Sequence, residues 1–269
     1  MGLVPLSNAC TIFMAEGDGI VLAGNNEDFY LDVNAKMWVT PGKKGEHGRV
    51  TFGFDQNRRY DFAQGGMNDK GLFFDAAVTP KGPPPREKNK PVPPKNMGDR
   101  MLAECATVEE TITWLGKYRL TLLDGGHLLI ADAAGDAAVI ELIDGEMKVI
   151  RKETDKKAIG VTNFSVTKPE LGNYPCSRFT KMRDAVKAGP ATVEGFKGIL
   201  QSVAVPKTYS EQDKRYGGTL YSNVYDLTNG VVYLYNRYDF GQGLKVNVAE
   251  FLKKGKATYQ IDELLPVAV

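Results

Sequence analysis

Histidine and cysteine are scarce in this 269-residue chain, which contains two histidines, His47 and His127, and three cysteines, Cys10, Cys105 and Cys176. An odd number of widely separated cysteines argues against a disulfide framework and against a thiolate zinc site. An enzyme built on a Ser-His-Asp or Cys-His arrangement would need one of the two histidines, and neither lies in a recognisable motif. We therefore expect no metal and no organic cofactor, and for an enzyme we expect a base other than histidine.

The chain also lacks an excess of charge and a long apolar run. Its 34 Lys and Arg residues nearly balance its 33 Asp and Glu residues, for a formal net charge of +1. This balance gives no reason to expect nucleic acid or an anionic membrane as a partner. Because no run of eighteen apolar residues exists, we expect no membrane-spanning segment. A hydrophobic content of 42% is enough for an ordinary packed core.

Most of the chain shows the alternating pattern of β-strands, interrupted by short turn signals. Residues 10–25 indicate two strands joined at Gly17-Asp18-Gly19, and residues 127–150 indicate three strands. An Asn-Gly pair, the strongest short-range hairpin signal, joins two strands within residues 217–236. Further strands are predicted within residues 49–55, 58–66 and 71–78.

Helical periodicity is confined to three segments. Thr107 and Glu110 form a capping box ahead of one apolar repeat, residues 177–190 carry a second, and Thr192 caps a third. Many strands with few helices between them predict an α+β fold in which helices cover the outside of stacked sheets. Because no repeat or shift in composition marks a second domain, residues 10–269 are predicted to form one domain.

Residues 79–96 differ from the rest of the chain, since they hold seven of the 14 prolines and a local charge of +4. This composition predicts an extended surface loop with polyproline character. The loop follows a predicted strand that ends at Val78, so we expect it to border a substrate pocket. Its lysines and Arg86 would then favour an anionic substrate.

Cys10 stands at the start of the first predicted strand and allows two interpretations. Cysteine is often fully buried, so a structural thiol is the simpler one. Two local features favour a functional thiol. The preceding residues SNA (7–9) fit the small-x-small pattern of a signal-peptidase site. The polar cluster GNNEDF (24–29) follows the second apolar strand directly, where a strand end presents polar groups to a site.

A chain cleaved before Cys10 would carry a thiol and an α-amine on the same residue. The α-amine has an unperturbed pKa of roughly 7.7–8.0, so it is a usable base near neutral pH. It lies within reach of its own side chain, which would supply nucleophile and base without a histidine. Such an amine needs an acceptor that holds it, and the oxyanion formed during attack needs donors.

Five segments carry a family pattern, in the order CTIFMAEGDGIVLAGNNED (10–28), GGMNDKGL (65–72), GVTNFSV (160–166), YPCSRF (174–179) and TLYSNVYDLTNGVVYLYN (219–236). Together they resemble the choloylglycine hydrolase family of N-terminal nucleophile hydrolases, which includes conjugated bile-salt hydrolases and penicillin V acylases. Each segment alone is a weak motif, but the set spans residues 10 to about 240. The resemblance implies a four-layer αββα sandwich with two mainly antiparallel sheets.

The resemblance also implies roles for individual residues. Cys10 would be the nucleophile after removal of residues 1–9. Asp28 would accept a hydrogen bond from the new α-amine, and Asn163 would donate its side-chain amide to the oxyanion. Arg178 would lie near the thiol and favour the thiolate, because a nearby cation lowers the pKa of a cysteine. The implied activity is cleavage of a linear C–N amide bond through a thioester acyl-enzyme.

Two positions depart from the family pattern. Asn25 stands where the bile-salt hydrolases and penicillin V acylases have an arginine of the active-site cluster. Val78 stands where the bile-salt hydrolases have a second oxyanion asparagine, so that only its backbone N–H would donate. Both departures leave the substrate open among a bile salt, penicillin V, an N-acyl homoserine lactone and another amide.

Three other interpretations stay open. An acyltransferase of the same superfamily would pass the acyl group to an amine instead of water. Residues 1–10 could be a degenerate lipoprotein signal, with Cys10 as the lipid anchor of a periplasmic binding module. Asn8 and the missing long apolar core argue against this. If residues 1–9 are never removed, the protein is instead interpreted as a non-catalytic relative with the same fold.

Residues 1–9 are predicted to be a propeptide or a signal-peptide remnant. If residues 3–9 are the tail of a truncated signal peptide, the protein is periplasmic or secreted, and otherwise it is cytoplasmic. The resemblance further implies a homo-oligomer, a tetramer, with a small-molecule acyl amide as its binding partner.

Overall fold

The computed structural model describes residues 10–56, 60–86, 88–170, 172 and 174–267, with the main chain alone at residues 56, 60 and 61. The predicted propeptide or signal-peptide remnant, residues 1–9, lies outside the described residues. Within the described part of the chain, no helix is long and apolar enough to cross a membrane.

The described residues contain fifteen strands and six α-helices. The strands are β1 (Thr11–Gly17), β2 (Ile20–Tyr30), β3 (Ala35–Thr40), β4 (Arg49–Gln56), β5 (Tyr60–Asn68), β6 (Phe73–Val78), β7 (Gly126–Ala131), β8 (Ala137–Ile143), β9 (Glu146–Arg151), β10 (Ala158–Val161), β11 (Thr208–Ser210), β12 (Arg215–Asp226), β13 (Val231–Asn236), β14 (Asp239–Asn247) and β15 (Ala257–Gln260). The helices are α1 (Met97–Glu104), α2 (Val108–Leu115), α3 (Ser177–Ala188), α4 (Val193–Val203), α5 (Val248–Lys253) and α6 (Ile261–Leu264).

The strands form two antiparallel sheets. The seven-stranded sheet has the order β10-β1-β2-β12-β13-β14, with β11 paired to β12. The eight-stranded sheet has the order β15-β3-β4-β5-β6-β7-β8-β9. Residues on β1 and β2 therefore meet residues on β6 and β7 across the interface between the sheets.

Apolar side chains fill three layers of the molecule. Between the sheets lie large buried residues such as Phe52, Phe73 and Tyr225. On the outside, α1 and α2 cover the eight-stranded sheet, and α3 and α4 cover the seven-stranded sheet. Phe196 of α4 stacks on Phe13 of β1 with ring centroids 4.7 Å apart. Each fully buried side chain of this size stabilises the fold by roughly 1.5–3 kcal/mol. This layering confirms the predicted αββα sandwich.

Local signals in the sequence account for the first hairpin and for α2. The β1–β2 turn takes positive φ values at Asp18 (51°) and Gly19 (78°), which match the twist of a two-residue hairpin. Thr107 caps α2 by accepting a hydrogen bond from the main-chain N–H of Glu110 at 3.2 Å. Both features lie where turn and capping patterns predict them.

The alternation of side chains along β2 divides its polar cluster between two faces. Asn26 points toward the helices, because its amide donates to the carbonyl of Leu200 in α4 at 2.9 Å. Successive side chains of a strand point to opposite faces. Asn25 and Glu27 therefore face the second sheet.

Candidate active site

A cavity of about 200 Å³ lies between the two sheets beside Cys10, the residue that precedes β1. Cys10 is only 5% exposed, and it lines this cavity together with Glu27 and Asp28. Much of the remaining wall is apolar and includes Phe54 and Phe74. A lipid carried on this sulfur would have to fit inside the fold, which weighs against the lipid-anchor interpretation.

Asp28 lies next to Cys10 and is itself buried. The Thr219 hydroxyl donates a hydrogen bond to Asp28 Oδ1 at 2.5 Å, and Arg178 Nη1 lies 3.7 Å from Oδ2. Burial raises the pKa of Asp28 to about 7, although Arg178 and the Thr219 hydrogen bond act in the opposite direction. A cationic amine at Cys10 would thus find a carboxylate beside it.

Arg178 connects the helix layer to the residues around Cys10. It sits in the first turn of α3, and its Nη1 donates to the carbonyl of Cys10 and to the hydroxyl of Thr11, both at 2.9 Å. Its Nη2 donates to Asn163 Oδ1 at 3.0 Å. A single guanidinium therefore fixes the start of β1 and the orientation of the Asn163 amide.

The pKa of the Cys10 thiol is raised well above its usual value, chiefly by burial and then by the carboxyl groups of Glu27 and Asp28. Burial penalises the thiolate and dominates in the chain in which residues 1–9 precede Cys10. The role of Arg178 in favouring the thiolate stays a prediction for a chain that begins at Cys10.

Asn163 and Val78 lie within one hydrogen bond of each other. Asn163 Nδ2 donates to the Val78 carbonyl at 2.9 Å. The Thr79 N–H donates to the Gly125 carbonyl at 2.9 Å. Hydrogen-bonded and non-hydrogen-bonded pairs alternate along an antiparallel ladder, so the Val78–Gly126 pair is of the second kind. The N–H and carbonyl of Val78 consequently both point away from β7, on the side of Asn163.

Two buried carboxyl groups that sequence reasoning did not single out face the same region. Glu27 Oε1 lies 3.8 Å from Cys10 Sγ, which donates to it. Burial, and then the Asp28 charge, raise the pKa of Glu27 to about 8. Burial, and then the Glu27 charge, also raise the pKa of Asp75 on β6 well above its usual value. A signal existed in the sequence, because Asp75 is the one charged residue in the apolar strand GLFFDAAV (71–78).

A comparison with known families decides the kinship of the chain. The model of the acyl-coenzyme A:6-aminopenicillanic acid acyl-transferase family matches residues 16–238. The chain belongs to this family. In sequence, no curated protein matches it.

Solved structures show the same fold at low sequence identity. Penicillin V acylase from Agrobacterium tumefaciens is 20% identical, with a TM-score of 0.72 over 94% of this chain and 91% of that one. Two variants of conjugated bile acid hydrolase from Clostridium perfringens are also similar. One is 18% identical, with a TM-score of 0.70 over 94% of this chain and 96% of that one. The other is 20% identical, with a TM-score of 0.72 over 93% and 97% of the two chains. The kinship predicted from the sequence motifs is confirmed.

Asn25, one of the two positions predicted from the sequence to depart from the family pattern, is fully buried. Its Oδ1 accepts a hydrogen bond from Asn223 Nδ2 at 3.3 Å. Among the described residues that line the Cys10 cavity, Asn25 does not appear. Glu27, two residues further along β2, is the next residue whose side chain faces the second sheet. The ionisable group that this stretch of β2 places beside the thiol is therefore a carboxyl group.

His127 on β7 lines the Cys10 cavity, which no sequence motif indicated. Its Nδ1 lies 3.1 Å from Glu141 Oε1 on β8, and its Nε2 has no hydrogen-bond partner among the described residues. Burial raises the pKa of Glu141. The hydrogen bonds from His127 and from the N–H groups of Val166 and Thr167 outweigh this effect and lower the pKa to about 2. The described residues contain no cluster of three or more His, Cys, Asp or Glu side chains that could hold a metal ion.

Glu141 also anchors the segment that carries Asn163. Its carboxylate accepts hydrogen bonds from the Ser165 hydroxyl at 3.1 Å and from the N–H groups of Val166 at 2.6 Å and Thr167 at 3.1 Å. The positions of the oxyanion candidate and of the His127 ring are therefore coupled through one buried carboxylate.

The basic loop, residues 79–96, forms neither helix nor strand where it is described. Lys95 and its neighbours line a depression of about 350 Å³ with Phe62 and Leu122, which also line the Cys10 cavity. Arg86 lies elsewhere, against the β8–β9 turn, where its Nη1 is 3.3 Å from Glu146. The C-terminal end of the loop thus borders the site.

Proposed function

We propose that this chain is a cysteine amidohydrolase that cleaves a linear C–N amide bond through a thioester acyl-enzyme, with Cys10 as the N-terminal nucleophile after removal of residues 1–9. The observation that carries the proposal is that the Cys10 thiol and the Asp28 carboxyl line one cavity, while Arg178 hydrogen-bonds both the Cys10 carbonyl and Asn163. Each of these groups suits one task in amide cleavage.

Acylation starts with the thiol of Cys10. Its proton passes to the α-amine of the same residue, which Asp28 holds, and Sγ attacks the amide carbonyl. The Asn163 amide and the Val78 N–H stabilise the oxyanion. One hydrogen of Asn163 Nδ2 goes to the Val78 carbonyl at 2.9 Å, and the second is directed to the oxyanion. Arg178 keeps this amide oriented through the bond to Asn163 Oδ1.

The α-ammonium then protonates the leaving amine as the C–N bond breaks. In deacylation the same amine activates water, which attacks the thioester carbonyl and releases the acid. This cycle needs no histidine, which agrees with a chain that contains only two.

The size of the cavity favours a small acyl group. Its volume of about 200 Å³ is below the range of roughly 300–1,000 Å³ typical of pockets for drug-sized ligands. A phenyl or short aliphatic acyl group suits this space and its wall with Phe54 and Phe74 better than the steroid of a bile salt. Lys95, in the adjoining depression, favours an anionic group on the leaving amine.

Acyl transfer to an amine is the second candidate, because the matching family is described as an acyl-transferase of acyl-coenzyme A and 6-aminopenicillanic acid. The same thioester would be attacked by an amine in place of water. The acceptor amine would enter after the first amine has left, so cavity size does not separate the two reactions. Hydrolysis leads because the similar solved structures are a penicillin V acylase and a conjugated bile acid hydrolase.

Replacement of Cys10 tests the proposal. Cys10→Ala is expected to abolish release of amine from a panel that contains penicillin V, a glycine-conjugated bile salt, an N-acyl homoserine lactone and short acyl amides. Intact mass of the wild type mixed with substrate should show a transient acyl adduct. Cys105→Ala, a second buried cysteine at the end of α1, is the matched control and should keep turnover. Full activity in Cys10→Ala would end the hypothesis. Formation of a new amide when a second amine is added would favour acyl transfer.

A further inference from the structure

Removal of residues 1–9 poses a chemical problem that the mature mechanism does not solve. Before that cleavage the nitrogen of Cys10 belongs to the Ala9–Cys10 peptide bond, so it carries no lone pair that can act as a base. Burial and two carboxyl groups also raise the pKa of the thiol. The uncleaved chain therefore needs another base beside the sulfur.

We propose that Glu27 is the general base that activates the Cys10 thiol for removal of residues 1–9, before the α-amine exists to take over that role. The proposal rests on the proposed function. Its geometric basis is the contact between Glu27 Oε1 and Cys10 Sγ, at 3.8 Å, with both residues buried in the same cavity wall. This distance is within hydrogen-bond reach for sulfur, as a general base requires.

Contact with the sulfur distinguishes Glu27 from the other polar groups nearby. Asp28 Oδ1 accepts the Thr219 hydroxyl, and its Oδ2 faces Arg178. His127 Nδ1 is held by Glu141. Asp28 Oδ2, His127 Nε2 and Glu27 Oε2 all lack a hydrogen-bond partner among the described residues. Glu27 is the one of these residues whose side chain accepts the hydrogen bond of Cys10 Sγ, through Oε1.

Asp75 is a second buried carboxyl group near Glu27. It lies on β6 of the opposite sheet, and neither of its oxygens has a hydrogen-bond partner among the described residues. A Cβ on Gly65 would lie 1.9 Å from Asp75 Oδ2, so the glycine is what admits Asp75 at this position. Burial, and then the Glu27 charge, raise the pKa of Asp75 well above its usual value, so Asp75 keeps its proton while Glu27 ionises. Burial, and then the Asp28 charge, raise the pKa of Glu27 to about 8.

The proposed step balances as follows. Glu27 takes the proton of Cys10 Sγ, and the sulfur attacks the carbonyl carbon of Ala9. The tetrahedral intermediate collapses with cleavage of the C–N bond, and the proton on Glu27 passes to the departing nitrogen of Cys10. This leaves residues 1–9 as a thioester on Sγ and frees the α-amine. Water hydrolyses the thioester, which releases residues 1–9 as a carboxylate and restores the thiol.

The test follows processing and activity separately. The full chain is made by cell-free translation, and intact mass records the loss of residues 1–9 with time. Glu27→Gln, which keeps shape and removes basicity, is expected to slow this loss by about 100-fold or more, the usual size of a general-base contribution. Glu194→Gln, at an exposed site on α4, is the matched control and should process at the wild-type rate. His127→Gln tests the other cavity-lining base and should also process.

A second form of each chain starts at Cys10, produced by site-specific cleavage of a fusion partner. In this form Glu27→Gln should give the circular dichroism spectrum and the cooperative urea unfolding of the wild type, which shows that the variant folds. An unfolded Cys10-start Glu27→Gln would overturn the proposal as stated, because slow processing would then result from misfolding. Wild-type processing in full-length Glu27→Gln, or no processing of the wild type, would also overturn it. If the Cys10-start wild type cleaves no amide, the proposed function fails. The rate at which the full-length chains lose residues 1–9 still tests whether Glu27 is the base for that step.

The pH profile of processing supplies a further readout. Below about pH 8 the rate should rise by about tenfold per pH unit as Glu27 deprotonates, and then level off. The titratable and charged groups that face Glu27 across the packed elements are Cys10, Asp28, Asp75, Arg178, Tyr221 and Tyr225. Asp28→Asn removes the charge that, after burial, raises the pKa of Glu27, and should shift the midpoint to lower pH. An unchanged midpoint in that variant would contradict the assignment of the midpoint to Glu27.

Discussion

Asp28 illustrates how one side chain serves both the fold and the site. Its carboxyl is buried, receives the Thr219 hydroxyl and faces the guanidinium of Arg178 at 3.7 Å. Without a neighbouring amine, burial keeps the pKa of Asp28 at about 7. An α-ammonium on Cys10 would supply the missing positive charge, so the site gains a partner for this carboxylate only when the chain begins at Cys10.

Asp28→Asn separates these two roles. The asparagine can still accept the Thr219 hydrogen bond, but it cannot balance a cationic amine. In chains that begin at Cys10 we expect kcat to fall by about 100-fold or more, with a smaller change in KM, because the amine is misoriented during proton transfer.

Steady-state kinetics on the best amide of the panel measures this effect. Asp32→Asn is the matched control, because Asp32 lies just past the end of β2 in an exposed pair with Arg215. Equal loss of activity in both variants would indicate a general effect on β2 and contradict the assigned role of Asp28.

At the scale of elements, strands and loops that are far apart in sequence hold the oxyanion candidates. Asn163 lies after β10, Val78 ends β6, and Glu141 of β8 joins them by binding the segment that follows Asn163. Such a junction depends on sheet stacking, because no local pattern relates β6, β8 and β10. Local patterns did indicate the β1–β2 hairpin, the β7–β8–β9 meander and α2 to α4. They missed α1, β3, β10, β11 and the segments after β13, most of which are too short to show a clear period.

Glu141→Gln probes this junction. A neutral amide accepts hydrogen bonds more weakly than a carboxylate and brings a donor toward the Val166 and Thr167 N–H groups. We expect unfolding free energy to fall by about 2 kcal/mol, and kcat/KM to fall because the Asn163 segment loses its anchor. Urea denaturation and amide turnover measure the two effects.

Glu146→Gln on β9 is the control for this variant. Glu146 is exposed and pairs with Lys148 at 2.9 Å, so its replacement should change stability by about 0.5 kcal/mol or less. If Glu141→Gln is as stable and as active as Glu146→Gln, the anchoring role of Glu141 is refuted.

At the scale of the whole molecule, the interface between the sheets concentrates groups that prefer to be neutral. Glu27 shifts from an ordinary pKa of 4.5 to about 8, Asp28 from 3.8 to about 7, and Asp75 also upward. Each folded-state pKa lies above that of the unfolded chain, so the folded state binds these protons more tightly. Their contribution to stability is complete below about pH 4 and is lost as pH rises through about 7 to 8. Glu141, with a pKa of about 2, acts in the opposite sense, but only as pH falls below about 4.5.

This sign predicts a protein that is more stable at pH 5 than at pH 8. The measurement is urea denaturation of Cys10→Ala, which stays uncleaved, at pH 5, 6, 7 and 8. Adding Glu27→Gln should flatten the fall between pH 5 and 8, because one shifted group no longer titrates. Adding Glu194→Gln, an exposed control, should leave the slope unchanged. Equal slopes for both double variants would refute the role of the buried carboxyl groups.

Alternation and turn chemistry in the sequence by itself determined stacked sheets with helices outside, the first hairpin and the helix caps. The resemblance of its short motifs to a family supplied the αββα layering and the predicted set of Cys10, Asp28, Asn163 and Arg178. Only the tertiary structure decided that Glu27, Asp75 and His127 share the region around the thiol, and that burial raises the pKa of Cys10. The physical reason is that a pKa and a cavity depend on burial and on charges brought across two stacked sheets, and a linear pattern contains neither the distance nor the dielectric surroundings.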